Sequence, residues 1–402
     1  MPYIVNPAGR IVAIDDNQKY LDWLKIPGFR KASPEEQAEH QKERYEALLK
    51  SKVANQSKET GIYFATVSQG GADGYSVASK HITSELKNLG VDVKGYYDGQ
   101  KIGLLFHNPY SILQIEAPYR IIYTMFESDK IPDNWKDYLE AADLVLVPSK
   151  WCQAVFKKAG IESQVVPLGF DSKTFTPIKR LPKRDLRRDF TFLHYNAFNI
   201  RKGFPEVFKA FTEEFDKTEP VKLVLKTTQY RIPLPITKRE YPNIDIINSK
   251  VSDKQLLNII ENADCFVFPS RGEGFGMTPL ECMATGMPAI VPNAHGITEY
   301  FDPEYMYEVK VKETCPALYS RYKGQDVGQM VVCDVDDLKR QMRHVYEHQK
   351  EARLKGEVAA DYVLQWTFEN TAKKLKEIFD EILSKPIPER KLANVLPLEK
   401  IS

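Results

Sequence analysis

The chain has 402 residues, with 56 Lys and Arg against 55 Asp and Glu, so its formal net charge is +1. This length predicts two or three domains at roughly 150 residues each, and the balanced charge argues against a dedicated polyanion-binding protein. We see no transmembrane run of about 20 apolar residues and no secretory signal. Five scattered cysteines without a CxxC pair argue against a disulfide scaffold and a structural zinc site. We therefore expect a cytoplasmic protein without integral membrane contact.

Residues 1–58 form a predicted N-terminal extension that is unlike the rest of the chain. A short hydrophobic stretch at 9–14 precedes a polar run at 33–37 that is typical of a helix start. The charged residues that follow predict a solvent-facing helix or a packing arm. No function follows from this segment.

Residues 59–178 show short apolar runs that alternate with helical stretches. The clearest helix is predicted at 75–89 and ends at Gly90. Continuous apolar strands separated by helices are typical of a parallel sheet covered on both faces, so we predict a Rossmann-like lobe. Its predicted strands are residues 62–67, 104–107, 120–126, 144–147 and 164–166.

Residues 179–188 are predicted to be an interdomain linker, because prolines and a cluster of basic residues interrupt the pattern. Nucleic-acid contact is the alternative, but aromatic residues do not alternate with the basic ones. The cluster consists of Lys179, Arg180, Lys183, Arg184, Arg187 and Arg188.

The same alternation restarts over residues 189–368, which predicts a second Rossmann-like lobe and a cleft between the two. In such sheets ligands bind beyond the carboxyl ends of the strands. Residues 369–402 are predicted to contain a helix, at 371–383, that packs back on the first lobe. The predicted strands of the second lobe are residues 190–193, 223–226, 244–248, 265–269, 289–292 and 330–333.

Residues 265–288 carry the most informative pattern: a buried strand, a glycine-rich turn and a short helix. Thr278 is a natural N-cap and Pro279 suits the first helical position, while Gly286 ends the helix. A glycine loop that leads into a helix N-terminus predicts an anion site, because unpaired amides and the helix dipole point at it.

Two carboxylates, Glu273 and Glu281, flank this positive pole. Taken alone, Glu281 is explained by a capping box with Thr278, and Glu273 by an ordinary loop position. Both glutamates together, on a glycine loop after a buried strand, favour the binding of ligand hydroxyls.

This stretch, Pro269-Ser-x-x-Glu-Gly-Phe-Gly-x-x-x-x-Glu-x-Met-Ala-x-Gly-x-Pro288, resembles the signature of retaining GT-B glycosyltransferases of family 4. The resemblance covers about residues 60–385 in the expected order. It continues in Val147-Pro148-Ser149, Val166 to Asp171, Arg201-Lys202-Gly203, Leu223 to Lys226, and Trp366-Thr367-Phe368.

The resemblance implies a role for each matching residue. Glu281 would bind the nucleotide ribose, Glu273 the donor sugar, and Lys202 and Lys226 the diphosphate. Preorganised cations and amides of this kind stabilise the charge of a departing diphosphate, so no metal and no cofactor besides the donor is expected. The other residues implied in donor binding are Gly71, Asn196, Arg201, Gly274, Phe275, Gly276, Met277 and Thr278.

The sequence departs from the family pattern twice. Asn196 stands near the usual place of an arginine, and either Arg201 or a neutral hydrogen bond from Asn196 is a candidate substitute. Phe126 occupies the usual place of a histidine near the acceptor. Glu127 and His107 are therefore candidate catalytic residues, against a structural ion pair and a strand-end histidine respectively.

Two further motifs are better explained by structure than by metal binding. Asp334-Val335-Asp336 resembles a metal-binding DxD, but capping of the next helix by Asp336 or Asp337 explains it better. The spacing of His344, Glu347 and His348 resembles a zinc pattern, but it lies on a charged helix without an evident third ligand.

The resemblance thus predicts transfer of a sugar from a nucleotide diphosphate sugar to an acceptor hydroxyl with retention of configuration. A saccharide or glycoconjugate acceptor is the default. Two alternatives stay open at this point: a DNA-modifying enzyme that acts on hydroxymethylated bases, and a catalytically weak GT-B protein that binds nucleotide sugars.

Overall fold

The structure is a computed structural model of the chain. Besides short pieces within the first 36 residues, it describes residues 61–66, 73–178, 189–197, 199–227, 237–319, 322 and 324–387. The predicted linker at 179–188, Gly71 and most of the predicted extension at 1–58 lie outside the described residues.

The described pieces near the beginning of the chain include a small antiparallel sheet. Its strands are β1 (Tyr3–Val5), β2 (Ile11–Ala13) and β3 (Arg30–Lys31), in the order β2-β1-β3. After β3, the Glu36 amide donates to Ser33 Oγ at 3.2 Å and the Ser33 amide donates to Glu36 Oε2 at 2.8 Å. This reciprocal pair is the capping box of a helix start, as the polar run at 33–37 predicts.

The first large sheet has six parallel strands in the order β5-β4-β6-β7-β8-β9. All five residues of β6 are buried, because helices cover both faces of a parallel sheet. The strands are β4 (Gly61–Ala65), β5 (Asp92–Lys94), β6 (Ile102–Phe106), β7 (Tyr119–Tyr123), β8 (Leu144–Val147) and β9 (Gln164–Val165).

The second large sheet also has six parallel strands, in the order β12-β11-β10-β13-β14-β15. The two sheets confirm the prediction of two doubly wound α/β lobes. The strands are β10 (Phe190–Tyr195), β11 (Val221–Thr227), β12 (Ile244–Asn248), β13 (Cys265–Val267), β14 (Ala289–Val291) and β15 (Tyr307–Glu308).

The described residues contain nine α-helices, and none of these helices is both long and apolar enough to cross a bilayer. Side-chain caps fix several of their starts: Asp73 caps α1, and Ser149 caps α3. The helices are α1 (Gly74–Asn88), α2 (Lys136–Glu140), α3 (Lys150–Lys158), α4 (Phe204–Glu214), α5 (Asp253–Glu261), α6 (Met277–Ala284), α7 (Val335–Glu347), α8 (Gln349–Tyr362) and α9 (Phe368–Leu383).

The prediction that residues 330–333 continue the second parallel series is wrong. They belong to β17 (Gln329–Cys333), which pairs antiparallel with β16 (Val311–Pro316) in a separate two-stranded sheet. Three of the five β17 residues are partly or fully exposed, so β17 is not a central strand. We call the described residues of 311–333 the cleft hairpin, since the described part of the connection between its strands packs against the first lobe.

Helix α9 packs on the first lobe, against α1. The Phe368 ring stacks on His81 at 5.1 Å between centroids, and the Thr371 hydroxyl donates to the Pro167 carbonyl at 2.8 Å. Leu375 and Phe379 are buried in the same apolar cluster as the core residues of β4 and β6. The end of the described chain therefore completes the core that its first half begins.

Candidate functional site

The glycine loop at 268–276 follows β13, so it leaves the carboxyl end of the second sheet and faces the cleft. Helix α6 begins at Met277, with Gly276 as its N-cap at φ +89° and no side-chain cap. The predicted N-cap at Thr278 is therefore wrong, and the capping box weighed as the structural explanation of Glu281 is not formed. The Thr278 hydroxyl instead donates to Asn196 Oδ1 at 3.3 Å. Because no side chain caps α6, its first amides keep their capacity to bind an anion.

The Glu273 carboxylate lies at the centre of a buried charged cluster and is 5% exposed. Its Oε1 accepts hydrogen bonds from Lys202 Nζ and from the Ser270 hydroxyl, each at 2.7 Å. The Arg201 guanidinium lies 3.3 Å from the same oxygen. Burial alone would raise the pKa of Glu273, but Lys202 and Arg201 outweigh it and lower that pKa to about 2. The carboxylate is thus ionised throughout the physiological range.

Both cations of this cluster come from the turn after β10. Gly203, at φ +77°, makes room for this turn, because a Cβ there would lie 2.1 Å from the Pro269 carbonyl oxygen. Arg201 also donates to the Gly272 carbonyl at 2.6 Å, and its pKa is raised by Glu127 and Glu273 against the effect of burial. Burial lowers the pKa of Lys202, although Glu273 opposes this shift. The cluster therefore has two cations for one fully buried carboxylate.

Glu127 approaches this cluster from the first lobe. Its Oε1 lies 3.5 Å from Arg201, so the structural ion pair weighed from the sequence is present. His107 lies elsewhere in the first lobe, with its ring 5.0 Å from the Tyr75 ring. The Tyr75 hydroxyl accepts from the amide of Met125, whose side chain lies against Gly274. His107 is thus linked to the glycine loop through Tyr75 and Met125.

Lys226 lies at the carboxyl end of β11 and is 2% exposed. Its ammonium donates to the carbonyls of Thr227 and Ser249, both at 2.9 Å, and burial lowers its pKa. No carboxylate of the described residues lies within 4 Å of it. Just after the neighbouring strand β10, the backbone amide of Asn196 donates to the Lys226 carbonyl, and Asn196 Nδ2 is buried without a hydrogen-bond partner among the described residues. Both side chains have hydrogen-bonding capacity for a ligand at this edge.

Glu281 is the fifth residue of α6 and is 7% exposed. Its Oε2 is buried and has no hydrogen-bond partner among the described residues. Burial, followed by the charges of Asp253 and Asp171, raises the pKa of Glu281 to about 7. A carboxylate left in this condition has a destabilising effect on the fold, which donors from a ligand would relieve.

Two residues of this site were missed from the sequence. The Ser270 hydroxyl holds Glu273, and His295 holds the loop that carries both. His295 Nε2 donates to the Ser270 carbonyl at 2.9 Å, and burial lowers the pKa of His295 to about 4, so the ring is neutral. His295 has φ +45° and is the one described non-glycine residue with a positive φ. Such a conformation costs of order 1–3 kcal/mol, and it is typical of functional sites.

The neighbouring Gly296 and the first lobe also hold the glycine loop. The Gly296 amide donates to the Glu273 carbonyl at 2.8 Å, and a Cβ on Gly296 would lie 2.2 Å from the Gly274 oxygen. From the first lobe, the Ser149 hydroxyl donates to the Gly274 carbonyl at 2.8 Å, and the Lys150 amide donates to Glu299 at the same distance. The loop is therefore fixed from both sides of the cleft.

Several known proteins are similar to this chain in sequence or in fold. Residues 179–313 match the family model described as "Glycosyl transferases group 1". The putative glycosyltransferase ORF313 of Acidianus filamentous virus 1 (isolate United States/Yellowstone) is 28% identical over 187 residues, which is 44% of this chain and 54% of that protein. The mannosylfructose-phosphate synthase of Agrobacterium fabrum (strain C58 / ATCC 33970) is 27% identical over 148 residues, 33% of this chain and 32% of that protein.

The chain thus spans about half the length of the first of these curated relatives and about a third of the second. Among solved structures, Anabaena Alr3699/HepE in complex with UDP-glucose aligns with a TM-score of 0.57 at 12% identity, over 80% of this chain and 100% of that chain. This chain has the GT-B fold. The GT-B prediction of two Rossmann-like lobes that face a central cleft is confirmed.

Outside the cleft of this GT-B chain, both metal-like motifs have structural explanations. Asp334 caps α7 by accepting from the amides of Asp336 and Asp337, so the predicted cap at Asp336 or Asp337 is wrong by two or three positions. His344 Nε2 lies 3.2 Å from Glu351, and its ring stacks on His348. Within the described residues, no group of three or more His, Cys, Asp and Glu side chains is arranged to hold a metal ion.

Proposed function

We propose that this chain is a family 4 glycosyltransferase that moves a hexosyl or pentosyl group from a nucleotide diphosphate sugar to an acceptor hydroxyl with retention of configuration and without a metal ion. The observation that carries the proposal is the buried Glu273 cluster beside the uncapped start of α6. The match to the group 1 glycosyl transferase model supports it, since that match includes the turn with Lys202 and the glycine loop.

The donor binds across the carboxyl ends of β10, β11 and β13. The ribose hydroxyls donate to Glu281, whose buried oxygen has no other donor among the described residues. The diphosphate receives hydrogen bonds from Asn196 Nδ2, Lys226, Lys202 and the first amides of α6. The sugar hydroxyls donate to Glu273, which Lys202 and Ser270 hold in place.

Catalysis rests on stabilising the departing nucleoside diphosphate. Its negative charge grows as the bond to the anomeric carbon breaks, and Lys202, Lys226 and the dipole of α6 favour that charge. The acceptor oxygen bonds to the anomeric carbon on the face that the leaving group vacates. Attack on that face retains the configuration. The acceptor proton passes to an oxygen of the departing phosphate, so no protein base is required.

The acceptor is proposed to be a saccharide or glycoconjugate that reaches the sugar from the first lobe. Glu127 is the first-lobe carboxylate nearest the Glu273 cluster in the described contacts, with Arg201 between the two. We assign to it a hydrogen bond with a hydroxyl of the acceptor or of the donor sugar. His107, next to Tyr75, is assigned no direct part.

A thermal-shift panel tests donor binding. With UDP-, GDP-, ADP- and dTDP-sugars, we expect the donors of one nucleotide class to raise the melting temperature in the presence of EDTA. A ligand at 100 times its Kd stabilises the native state by about 2.7 kcal/mol. Sugar release from that donor is then measured. A shift that requires a metal ion contradicts the proposal, and binding without release across many acceptors supports a nucleotide-sugar-binding protein instead.

Asn196 gives a sharper test of the diphosphate position. Asn196→Ala removes one neutral donor, so we expect the affinity for the nucleoside diphosphate to fall roughly tenfold. Asn196→Asp keeps the shape but places a carboxylate beside the diphosphate, and we expect a loss of roughly a hundredfold or more. Isothermal titration measures both, with Asn258→Asp on the exposed side of α5 as the matched control. Equal affinities for the two Asn196 variants would place the diphosphate elsewhere.

A further inference from the structure

The cleft hairpin reaches from the second lobe to a segment of the first lobe that follows β7. The Asp129 amide donates to the Gln329 carbonyl at 3.2 Å, and the Gln329 amide donates back to the Asp129 carboxylate at 2.6 Å. The Ser128 hydroxyl donates to the Val327 carbonyl. The hairpin is therefore hydrogen-bonded to residues that directly follow Glu127 in the chain.

Two tyrosines of the hairpin connection pack into this part of the first lobe. The rings of Tyr319 and Tyr322 lie 5.2 and 5.7 Å from the Phe126 ring, measured between centroids. Trp135 Nε1 donates to the Tyr322 hydroxyl at 3.2 Å. These aromatic contacts fix the position of both phenol groups, so each hydroxyl has a defined partner.

The Tyr319 hydroxyl donates to Glu127 Oε2 at 3.3 Å. The other oxygen of the same carboxylate, Oε1, lies 3.5 Å from the Arg201 guanidinium. Glu127 is thus held at both oxygens by residues of the second lobe, one from the hairpin and one from the turn after β10. Burial and the charge of Glu127 raise the pKa of Tyr319, so the phenol keeps its proton and stays a donor.

We propose that Tyr319 is a positioning residue for the reaction: its hydroxyl orients the Glu127 carboxylate toward the Glu273 cluster. This inference rests on the proposed function and adds to it a residue that no motif of the sequence indicates. Tyr322 differs from Tyr319 in one respect that matters here. Its hydroxyl accepts a hydrogen bond from the buried Trp135, whereas the Tyr319 hydroxyl donates to Glu127.

The two tyrosines supply a matched pair of variants. Tyr319→Phe and Tyr322→Phe each remove one hydroxyl from the same connection and keep the ring. We expect Tyr319→Phe to lower kcat for sugar transfer roughly tenfold while the affinity for the nucleoside diphosphate changes less than twofold, because the nucleotide contacts do not involve Glu127. Tyr322→Phe is expected to keep kcat within twofold and to lower the melting temperature instead.

A double-mutant cycle separates positioning from packing. If Tyr319 acts through Glu127, then Glu127→Ala alone and Glu127→Ala with Tyr319→Phe have the same kcat. The positioning role is overturned if the kcat losses of the two single variants multiply in the double variant, or if Tyr319→Phe has the same kcat as the wild-type protein. Either result leaves the proposed function standing. A wild-type protein that neither releases nor transfers sugar from any donor it binds would overturn the proposed function and this inference with it.

Discussion

Glu273→Ala is expected to lower both the stability of the protein and its rate of sugar release by large factors. The substitution leaves Lys202 and Arg201 buried without their shared carboxylate, and the free energy of unfolding should fall by about 3 kcal/mol at pH 7. Sugar release should fall roughly a hundredfold or more, since the carboxylate that we propose to hold the donor sugar is gone. Urea unfolding and a donor-hydrolysis assay measure the two effects.

The loss of stability in Glu273→Ala is expected to become smaller as the pH falls. The pKa of Glu273 lies at about 2 in the folded protein, below the 4.5 of an ordinary glutamate. Its contribution to stability is therefore complete above pH 4.5 and is lost as the pH falls toward 2. The difference between wild type and Glu273→Ala should narrow over that range. Glu308→Ala, at an exposed position of β15, is the control and should change stability by less than about 0.5 kcal/mol. A constant difference from pH 7 to 3 would contradict the assignment of the shift.

Glu281→Gln is expected to stabilise the protein above pH 7 while it weakens nucleotide binding. The pKa of Glu281 is raised to about 7, so the folded state binds its proton more tightly than the unfolded state does. The resulting cost is absent below pH 4.5, grows as the pH rises, and reaches about 3 kcal/mol above pH 7. Glutamine carries no charge, so it removes this cost. The melting temperature of the variant minus that of the wild type should therefore increase from pH 5 to pH 8.

Whereas Glu281→Gln is expected to raise stability above pH 7, it is expected to lower the affinity for the nucleotide. In the proposed function the ribose hydroxyls donate to an ionised Glu281, so wild-type affinity for the nucleoside diphosphate should increase as the pH rises through about 7. Glu281→Gln should lose roughly tenfold in affinity at pH 8 and the pH dependence with it. Glu347→Gln, exposed on α7, is the control for both measurements. An affinity of Glu281→Gln equal to that of the wild type would exclude Glu281 from the ribose site.

The two lobes could be predicted from the sequence because most of their central strands are buried on both faces. The bounds of β8 and β12 agree with the prediction at both ends, and those of β4 and β7 within three residues. Strand β8 consists of uninterrupted apolar residues between turn signals, whereas the edge strand β12 also has polar residues and only Ile244 fully buried. Both patterns depend on local sequence. The prediction for β17 was wrong because it also depended on local sequence. Its short apolar run is typical of a buried strand, but only long-range contacts make it one edge of a hairpin.

The start of α6 shows how a local pattern can fit two positions. Thr278 followed by Pro279 fits a helix start, but Gly276, two residues earlier, adopts a left-handed conformation and α6 begins at Met277. The Tyr300 hydroxyl donates to the Gly276 carbonyl at 2.6 Å, a contact 24 residues away in the chain. His295 and Tyr319 escaped prediction in the same way, since their roles depend on partners from distant segments.

The packing of α9 on α1 has a consequence for synthesis on the ribosome. The first lobe buries Leu375 and Phe379 in its core, yet these residues follow residue 178 by about 200 positions. At roughly 5–20 residues per second, the nascent first lobe has an uncovered apolar groove for about 10–40 s before α9 emerges. We therefore expect the nascent chain to expose this apolar surface during translation, and the first lobe to complete its core only after α9 has been synthesised.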